Sequence, residues 1–283
     1  IRYLVGGGVS TNISANNITS LSDTSNLTFS QPSLNNSTAN YIFNSFTLTN
    51  PEAAMGGGSG DTLEEIRQNT IMMAQSQKRA VTQDDYLIRA LSMPANFGSI
   101  TKAHIETPKV KDNQVSTIET LNLFILSQNS SGHLSNASLT LKNNLRTYLS
   151  QYRIIGDSIE IRDAFIINIT VNFEIIVLPE FNNNEVLIAC INALKTHFNI
   201  DKWQINQPII LRDLYIMLDK VKGVQTVKDI IITNKAGMGG RYSKYSYDIP
   251  IATQNKVIYP SLDPSIFEVK YLNSDIKGKV VPL

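Results

Sequence analysis

Between residues 159 and 177 the apolar side chains Ile159, Ile161, Phe165, Ile167, Ile169, Val171, Phe173, Ile175 and Val177 share one parity, while Glu160, Arg162, Asn168, Thr170, Asn172 and Glu174 share the other. Side chains alternate across a strand, so the pattern specifies one long strand, or two nearly collinear ones broken near Asp163, with a buried face and a wetter face. Such a strand cannot cover its own apolar face, and the sequence around it supplies the cover. Leu187, Cys190, Ile191, Leu194 and Phe198 form one helical stripe, and Leu211, Leu214, Tyr215, Leu218 and Val221 form another. Gly223 suits the left-handed C-cap of the second helix, after which Val224 to Thr233 returns as a strand. Upstream, Ser99 to Thr107 and Thr117 to Ser127 read as paired strands, and Leu134, Leu141, Leu145, Tyr148, Leu149 and Tyr152 mark a further helix. The order strand, strand, helix, strand, helix, helix, strand predicts an α+β layer over residues 96–234, with helices on one face of a mixed or antiparallel sheet.

The flanks differ in character. Residues 1–60 carry only Arg2, Asp23 and Glu52 as charges and are crowded with Asn, Ser, Thr and Gly, which predicts a β-rich lead-in and disfavours helix. Arg2 to Val5 and Phe46 to Thr49 are its strands, and Leu21 to Asn44 is loop. Tandem helices fill residues 61–95. Gly56, Gly57 and Gly60 form a hinge or close-packed turn, Asp61 caps a helix running to about Lys78, and Leu63, Ile66, Thr70, Met73, Ala74 and Gln77 supply its stripe. Thr82 with Asp85 three residues on makes a second capping box, and Tyr86, Leu87, Ala90 and Leu91 give the short helix its face. Residues 235–283 lose regularity and read as an extended interaction tail with short strands at Ile266 to Tyr271 and Lys279 to Val281 and little core of its own, covered by the rest of the chain or by a neighbour.

Composition excludes several classes. Lys+Arg of 25 against Asp+Glu of 24 leaves a net charge of +1, so no global field draws nucleic acid or an anionic membrane. No apolar run approaches the roughly 20 residues that cross a bilayer. The single Cys190 lies on an apolar stripe and reads as a small buried hydrophobe. Eight Asn-x-Ser/Thr sequons arise naturally in a chain rich in those residues, and one of them, Asn168, falls inside a strand. A start at Ile1 without an initiator Met or signal segment reads as the C-terminal portion of a longer polypeptide.

Catalytic chemistry finds no purchase. His104, His133 and His197 stand apart, with no Cys or carboxylate at metal-ligand spacing. The glycine tract precedes a helix start that would attract a phosphate, but no Lys-Ser/Thr comes after it, and Asp61, Glu64 and Glu65 put negative charge where the phosphate would sit. No cofactor, metal or small-molecule substrate is expected. Arg241-Tyr242-Ser243-Lys244-Tyr245-Ser246-Tyr247 interleaves basic and aromatic residues, a pattern that serves nucleic acid or a protein interface, and near-neutral charge favours the interface. Arg241, Tyr242, Tyr245, Tyr247, Tyr259, Phe267 and Tyr271 are the interface candidates.

The run Gly56 to Arg67, with Glu64-Glu65-Ile66-Arg67, and then Arg79-Ala80-Val81-Thr82-Gln83-Asp84-Asp85-Tyr86 resembles the baseplate J-like family of tailed phages. Tyr3-Leu4-Val5-Gly6-Gly7-Gly8 with Asn12 and Ile18 to Leu21, and Thr49 to Ala54, fit that family's lead-in, although Gly58 and Ser59 lengthen the glycine tract. Tyr259 to Tyr271 is similar to the wedge subunits of T-even-like phages. The likeness covers residues 1–90 by motif, the middle by element order and the end by that single run. It implies a non-enzymatic structural subunit of a virion tail baseplate, contacting copies of itself and other wedge proteins, and a further N-terminal part. A receptor- or carbohydrate-binding module built on residues 1–60 is the alternative expectation.

Overall fold

The computed structural model describes residues 8–19, 35–54, 57, 63, 66–67, 70–71, 79–94, 97–106, 120–129, 131–154 and 156–282. The predicted alternation becomes two nearly collinear strands, β4 (Ser158–Asp163) and β5 (Phe165–Val177), separated by the buried Ala164. Each is built into its own sheet. In the first, β2 (Thr120–Gln128) lies between β1 (Lys102–Glu106), antiparallel to it, and β4, parallel to it, while the two-residue β3 (Leu134–Ser135) pairs with its far end. In the second, β5 is central, with β7 (Val224–Asn234) antiparallel on one edge. Its other edge takes β10 (Ser265–Glu268) and then β11 (Ile276–Val280), both parallel to it. The fold is α+β with mixed sheets.

Helices complete the layers: α1 (Asn36–Ser45), α2 (Gln83–Leu91), α3 (Leu139–Ser150), α4 (Asn183–His197), α5 (Leu211–Asp219) and the single turn α6 (Ile249–Ala252). A small sheet joins β6 (Ile209–Ile210), β9 (Val257–Ile258) and β8 (Thr253–Gln254). The inward parity of β5, namely Ile169, Val171, Phe173 and Ile175, meets Val186, Cys190 and Leu194 of α4 and Leu214 and Leu218 of α5 in one buried cluster. Each of these large aliphatic side chains contributes about 1.5–3 kcal/mol on leaving water. Cys190 is fully buried, and burial pushes its thiol up to about 11. A second cluster forms under the first sheet from Tyr86 and Ala90 of α2, Leu123 and Ile125 of β2, and Leu141, Leu145 and Leu149 of α3.

Three expectations are corrected. Within residues 1–60 no strand occurs among the described residues; Asn36–Ser45 is helical where loop was expected, and Asn35 Oδ1 accepts the Ser37 N–H at its start. Phe46 to Thr49 is irregular, and Asn50 ties its end to the earlier chain by bonding Ser14 and Ile18. Arg2 to Val5 lies outside the described residues. The wetter parity of β5 holds only in its second half, where Asn172 is exposed and Glu174 half-buried; Ile166, Asn168 and Thr170 are buried, with Asn168 bonded to Ser243 after β7 and Thr170 to Thr233 of β7. Residues 235–283 are no extended, coreless tail: Ile249, Ile258, Ile266, Phe267, Val269 and Ile276 enter the main cluster, and β10 and β11 supply one entire edge of β5.

Of the predicted helix over 61–78, Leu63, Ile66, Arg67, Thr70 and Ile71 are helical, with Leu63, Ile66 and Ile71 exposed. Gly56, Gly60, Asp61, Glu64, Met73, Ala74, Gln77 and Lys78 lie outside the described residues. Gly223 is left-handed (φ 97°) as expected, but α5 ends at Lys220, so Gly223 serves the turn into β7, where its carbonyl accepts the Leu178 N–H.

Side chains of α4 and β5 press close on Gly278 of β11, where an added Cβ would lie 2.4 Å from Phe173 Cζ and 2.5 Å from Leu187 Cδ1. Both atoms belong to packed side chains, so Gly278→Ala is expected to cost about 1–3 kcal/mol by overpacking. Gly156, with nothing within 4 Å of its added Cβ, is the control. Denaturant unfolding of the two variants checks this; an unchanged midpoint for Gly278→Ala would show that α4 does not press on β11.

Candidate interaction site

The octet Arg79 to Tyr86 folds as one unit. Ala80 is fully buried and donates its N–H to Tyr152 O at 2.9 Å. Thr82 is the N-cap of α2: its hydroxyl accepts the Asp85 N–H at 3.2 Å, and Asp85 Oδ2 accepts the N–H groups of Val81 at 3.0 Å and Thr82 at 2.9 Å. Desolvation alone would raise the Asp85 carboxyl; the Thr82 and Val81 donors, the Thr82 hydroxyl and Arg89 outweigh it and hold the group below its ordinary value. Tyr86, inside the small cluster, donates to Asp157 Oδ2 at 2.6 Å, and burial together with that bond pushes its hydroxyl up to about 12. Gly57 is closely packed: Asn12 Oδ1 accepts its N–H at 2.7 Å and Asn12 Nδ2 donates to its carbonyl at 2.9 Å, leaving no space for a Cβ.

The seven interface candidates separate. Phe267 is 2% exposed and packs edge-on to Tyr247 at 5.9 Å; it is core, because β10 is an internal edge of the main sheet and not a tail. Tyr242 is 5% exposed, and its hydroxyl donates to Asp275 Oδ1 at 2.8 Å; it too is removed from the surface set, because a buried carboxylate needs that donor. Tyr247 is half-buried and donates to Tyr259 O at 2.7 Å, while Tyr259 is exposed just after β9. Arg241 is exposed and lies over the ring of the half-buried Tyr271. Tyr245 is half-buried against Phe165, with Lys244 over its ring.

Two buried carboxylates that the sequence did not single out organise this region. Asp275, 1% exposed, accepts from Lys235 Nζ at 3.0 Å, from Tyr242 and from the Tyr271 N–H at 3.0 Å. Burial would depress the Lys235 ammonium, yet its bonds to Asp275 and Tyr242 hold it above its ordinary value. Glu268, 3% exposed, ties the two sheets together: Oε1 accepts the Leu134 N–H of β3 at 2.8 Å, and Oε2 accepts from Asn168 Nδ2 of β5 at 2.7 Å. Burial raises its carboxyl above the ordinary value despite those donors and nearby Lys270. Asn168, read as a wet-face residue, is the hub, since its Oδ1 also accepts the Ser243 N–H at 2.6 Å. Only one signal points to these groups, namely polar residues falling inside otherwise apolar strands.

The histidines sit apart. His104 lies 3.2 Å from Asn206 and 3.7 Å from Glu106, and His197 packs edge-on to Trp203. His133 meets the Tyr271 ring at 5.2 Å, and desolvation, aided by Lys270, lowers its pKa. Among the described residues no three His, Cys, Asp or Glu side chains gather as a metal set, and no helix is long and apolar enough to cross a membrane.

Removing Asp275 strands buried donors, so Asp275→Ala is expected to cost about 3–5 kcal/mol, against about 1 kcal/mol for Tyr242→Phe, in denaturant unfolding. Equal small losses would refute the knot. For Glu268 the sign is fixed by its raised folded value: the folded chain holds this proton more tightly than the unfolded chain, so its stabilisation is fully present in acid and is lost as pH rises through the folded value. The unfolding free energy of the wild type minus that of Glu268→Gln should therefore fall as pH rises above the ordinary carboxylate value, by at most ~1.4 kcal/mol per pH unit. A difference that stays flat or rises would contradict it.

No protein-family model matches the chain, and no curated protein matches it. Among solved structures, the chain is similar to one in the cryo-EM structure of the anti-feeding prophage baseplate, six-fold symmetrised, with a TM-score of 0.45 and 12% identity. The match covers 78% of this chain and 45% of that one, so the chain spans less than half of its neighbour's length.

Proposed function

We propose that the chain is a structural subunit of a phage contractile-tail baseplate wedge, a virion component whose contacts with copies of itself and with other wedge proteins build the baseplate ring. It is read as catalysing nothing. The observation that carries this is the octet Arg79 to Tyr86, the most specific element of the resemblance to the baseplate J-like family. Each of its distinctive positions has a structural use: Ala80 seats the chain against Tyr152, Thr82 and Asp85 start α2, and Tyr86 anchors it through Asp157. A motif spent largely on docking one helix to a small sheet, with the Arg79 and Val81 side chains exposed, fits a scaffold. The same holds for Asp275 and Glu268, whose oxygens are engaged by internal donors. The reading rests on this motif and its geometry, and not on the distant structural likeness.

The alternative, a receptor- or carbohydrate-binding lead-in, needs polar side chains free to face a ligand. Asn12, Asn16 and Asn50 instead bond Gly57, Thr49, Ser14 and Ile18 within the chain. Assembly is tested by sedimentation velocity on the purified chain, alone and mixed with the other wedge proteins of its particle. Self-association or a mixed complex is expected; a strictly monomeric species indifferent to every wedge partner would defeat the proposal.

A further inference from the structure

We infer that the face carrying Arg241, Lys244 and Lys270 docks an acidic segment of a partner protein. The inference rests on the assembly reading in one respect only, that the partner is a protein. The three cations come from two separate stretches of chain. Lys270 Nζ donates to Arg241 O at 2.6 Å, and the Tyr271 hydroxyl donates to the same carbonyl at 3.4 Å, which fixes the loop before α6 against the turn after β10.

Among the described residues the acid–base pairs are His104–Glu106, Lys142–Asp163, Arg162–Glu160, Lys228–Glu174 and Lys235–Asp275, and none involves these three cations. Two buried carboxylates of this region, Asp275 and Glu268, are held by other donors. Asp275 is buried and is taken by Lys235, Tyr242 and the Tyr271 N–H; Glu268 is buried and turned toward Leu134 and Asn168. A cleft of about 400 Å³ runs beside Lys244 and Lys270; Ser135, Asn136 and Tyr245 line it, and the buried Asn168 and Glu268, bonded to each other, also contribute to its wall. On the other side of Lys270 a second cleft, of about 610 Å³, has Asp201 as its exposed carboxylate. Positive charge left unpaired beside a narrow polar cleft is complementary to an extended strand of polypeptide bearing Asp or Glu.

Nucleic acid would meet the same charges but also needs ring faces on which bases stack. Here the rings are already engaged. Arg241 lies 4.7 Å over Tyr271, whose other neighbours are His133 at 5.2 Å and Tyr242 at 5.7 Å, both edge-on. Tyr245 meets Phe165 edge-on at 4.8 Å and carries Lys244 at 5.4 Å.

The test is fluorescence anisotropy with the whole chain, using a fluorescein-labelled glutamate-rich peptide and an oligothymidylate of equal length. The peptide should bind saturably at low salt and release as salt rises. The triple variant Arg241→Gln, Lys244→Gln, Lys270→Gln should weaken it by about 10-fold or more. A matched triple at exposed lysines elsewhere, Lys228→Gln, Lys277→Gln, Lys279→Gln, should leave it unchanged. Should the first triple lose its fold by circular dichroism, the single Lys244→Gln, at an exposed position, should still weaken binding about 2–3-fold. No peptide binding by the wild type, equal loss in both triples, or tighter binding of oligothymidylate would overturn the inference. Peptide binding lost in a chain that still assembles removes the docking face alone, whereas peptide binding kept by a chain that never assembles removes the baseplate reading alone.

Discussion

Hydrogen bonding along both edges of β5 is the constraint on which the larger half of the molecule depends. One edge is met by the antiparallel β7, which sequence proximity makes easy to reach through α4 and α5. The other is met by β10 and β11, both parallel to β5 and both far downstream of it in the chain. Parallel pairing requires the chain to cross the sheet before it can return, so the irregular stretch after β7 is the route back to the open edge. In passing, it runs beside Ile166 and Asn168 on the face that the helices leave bare. A segment with no periodicity of its own is thereby obligatory to the core.

Polar groups buried by that crossing are satisfied internally, and this explains the placement of the tyrosines. Asp275 stands at the turn before β11, where water is excluded, and its carboxylate is tolerable only with several donors. Lys235, Tyr242 and the Tyr271 amide provide them. Glu268 is handled differently, with two neutral donors and no contacting cation, and its carboxyl is accordingly driven toward the protonated form. The first arrangement is pinned by charge and the second by burial.

Legibility tracks periodicity. The split of β4 from β5 near Asp163, the stripes of α3, α4 and α5, and the Thr82–Asp85 capping box can all be read from spacing, because each is set by contacts within a few residues. What spacing does not show depends on distant partners. Phe267 and Tyr242 look like interface residues because their segment lacks a period, but Phe267 is buried by β5, far upstream, in register with Ile167, and Tyr242 by its bond to Asp275. Helix α1 is hidden because its Asn, Ser and Thr residues carry turn propensity, which its helical hydrogen bonding outweighs. Of the site, Arg241, Lys244, Tyr245 and Tyr271 are visible as a basic and aromatic pattern; the carboxylates behind them are not, since nothing local marks a buried acid.

The sheet edges bear on how such a chain would join others. An open strand edge is the simplest template for adding another protein's strand. On β7 that route is obstructed: Asp219 Oδ1 of α5 accepts the Val227 N–H at 3.2 Å, and the Tyr215 hydroxyl accepts the Ile230 N–H at 3.1 Å, so side chains occupy donors that a strand would need. On the opposite side β11 carries the exposed Lys277 and Lys279, charged residues of the kind that discourage edge pairing. With both edges of the second sheet blunted, contact with a neighbour there falls to side-chain surfaces. One of these is the face of Arg241, Lys244 and Lys270, where the buried carboxylates Asp275 and Glu268 are held by other donors. The same burial that removes Tyr242 and Phe267 from the interface thus leaves the cations above them unpaired.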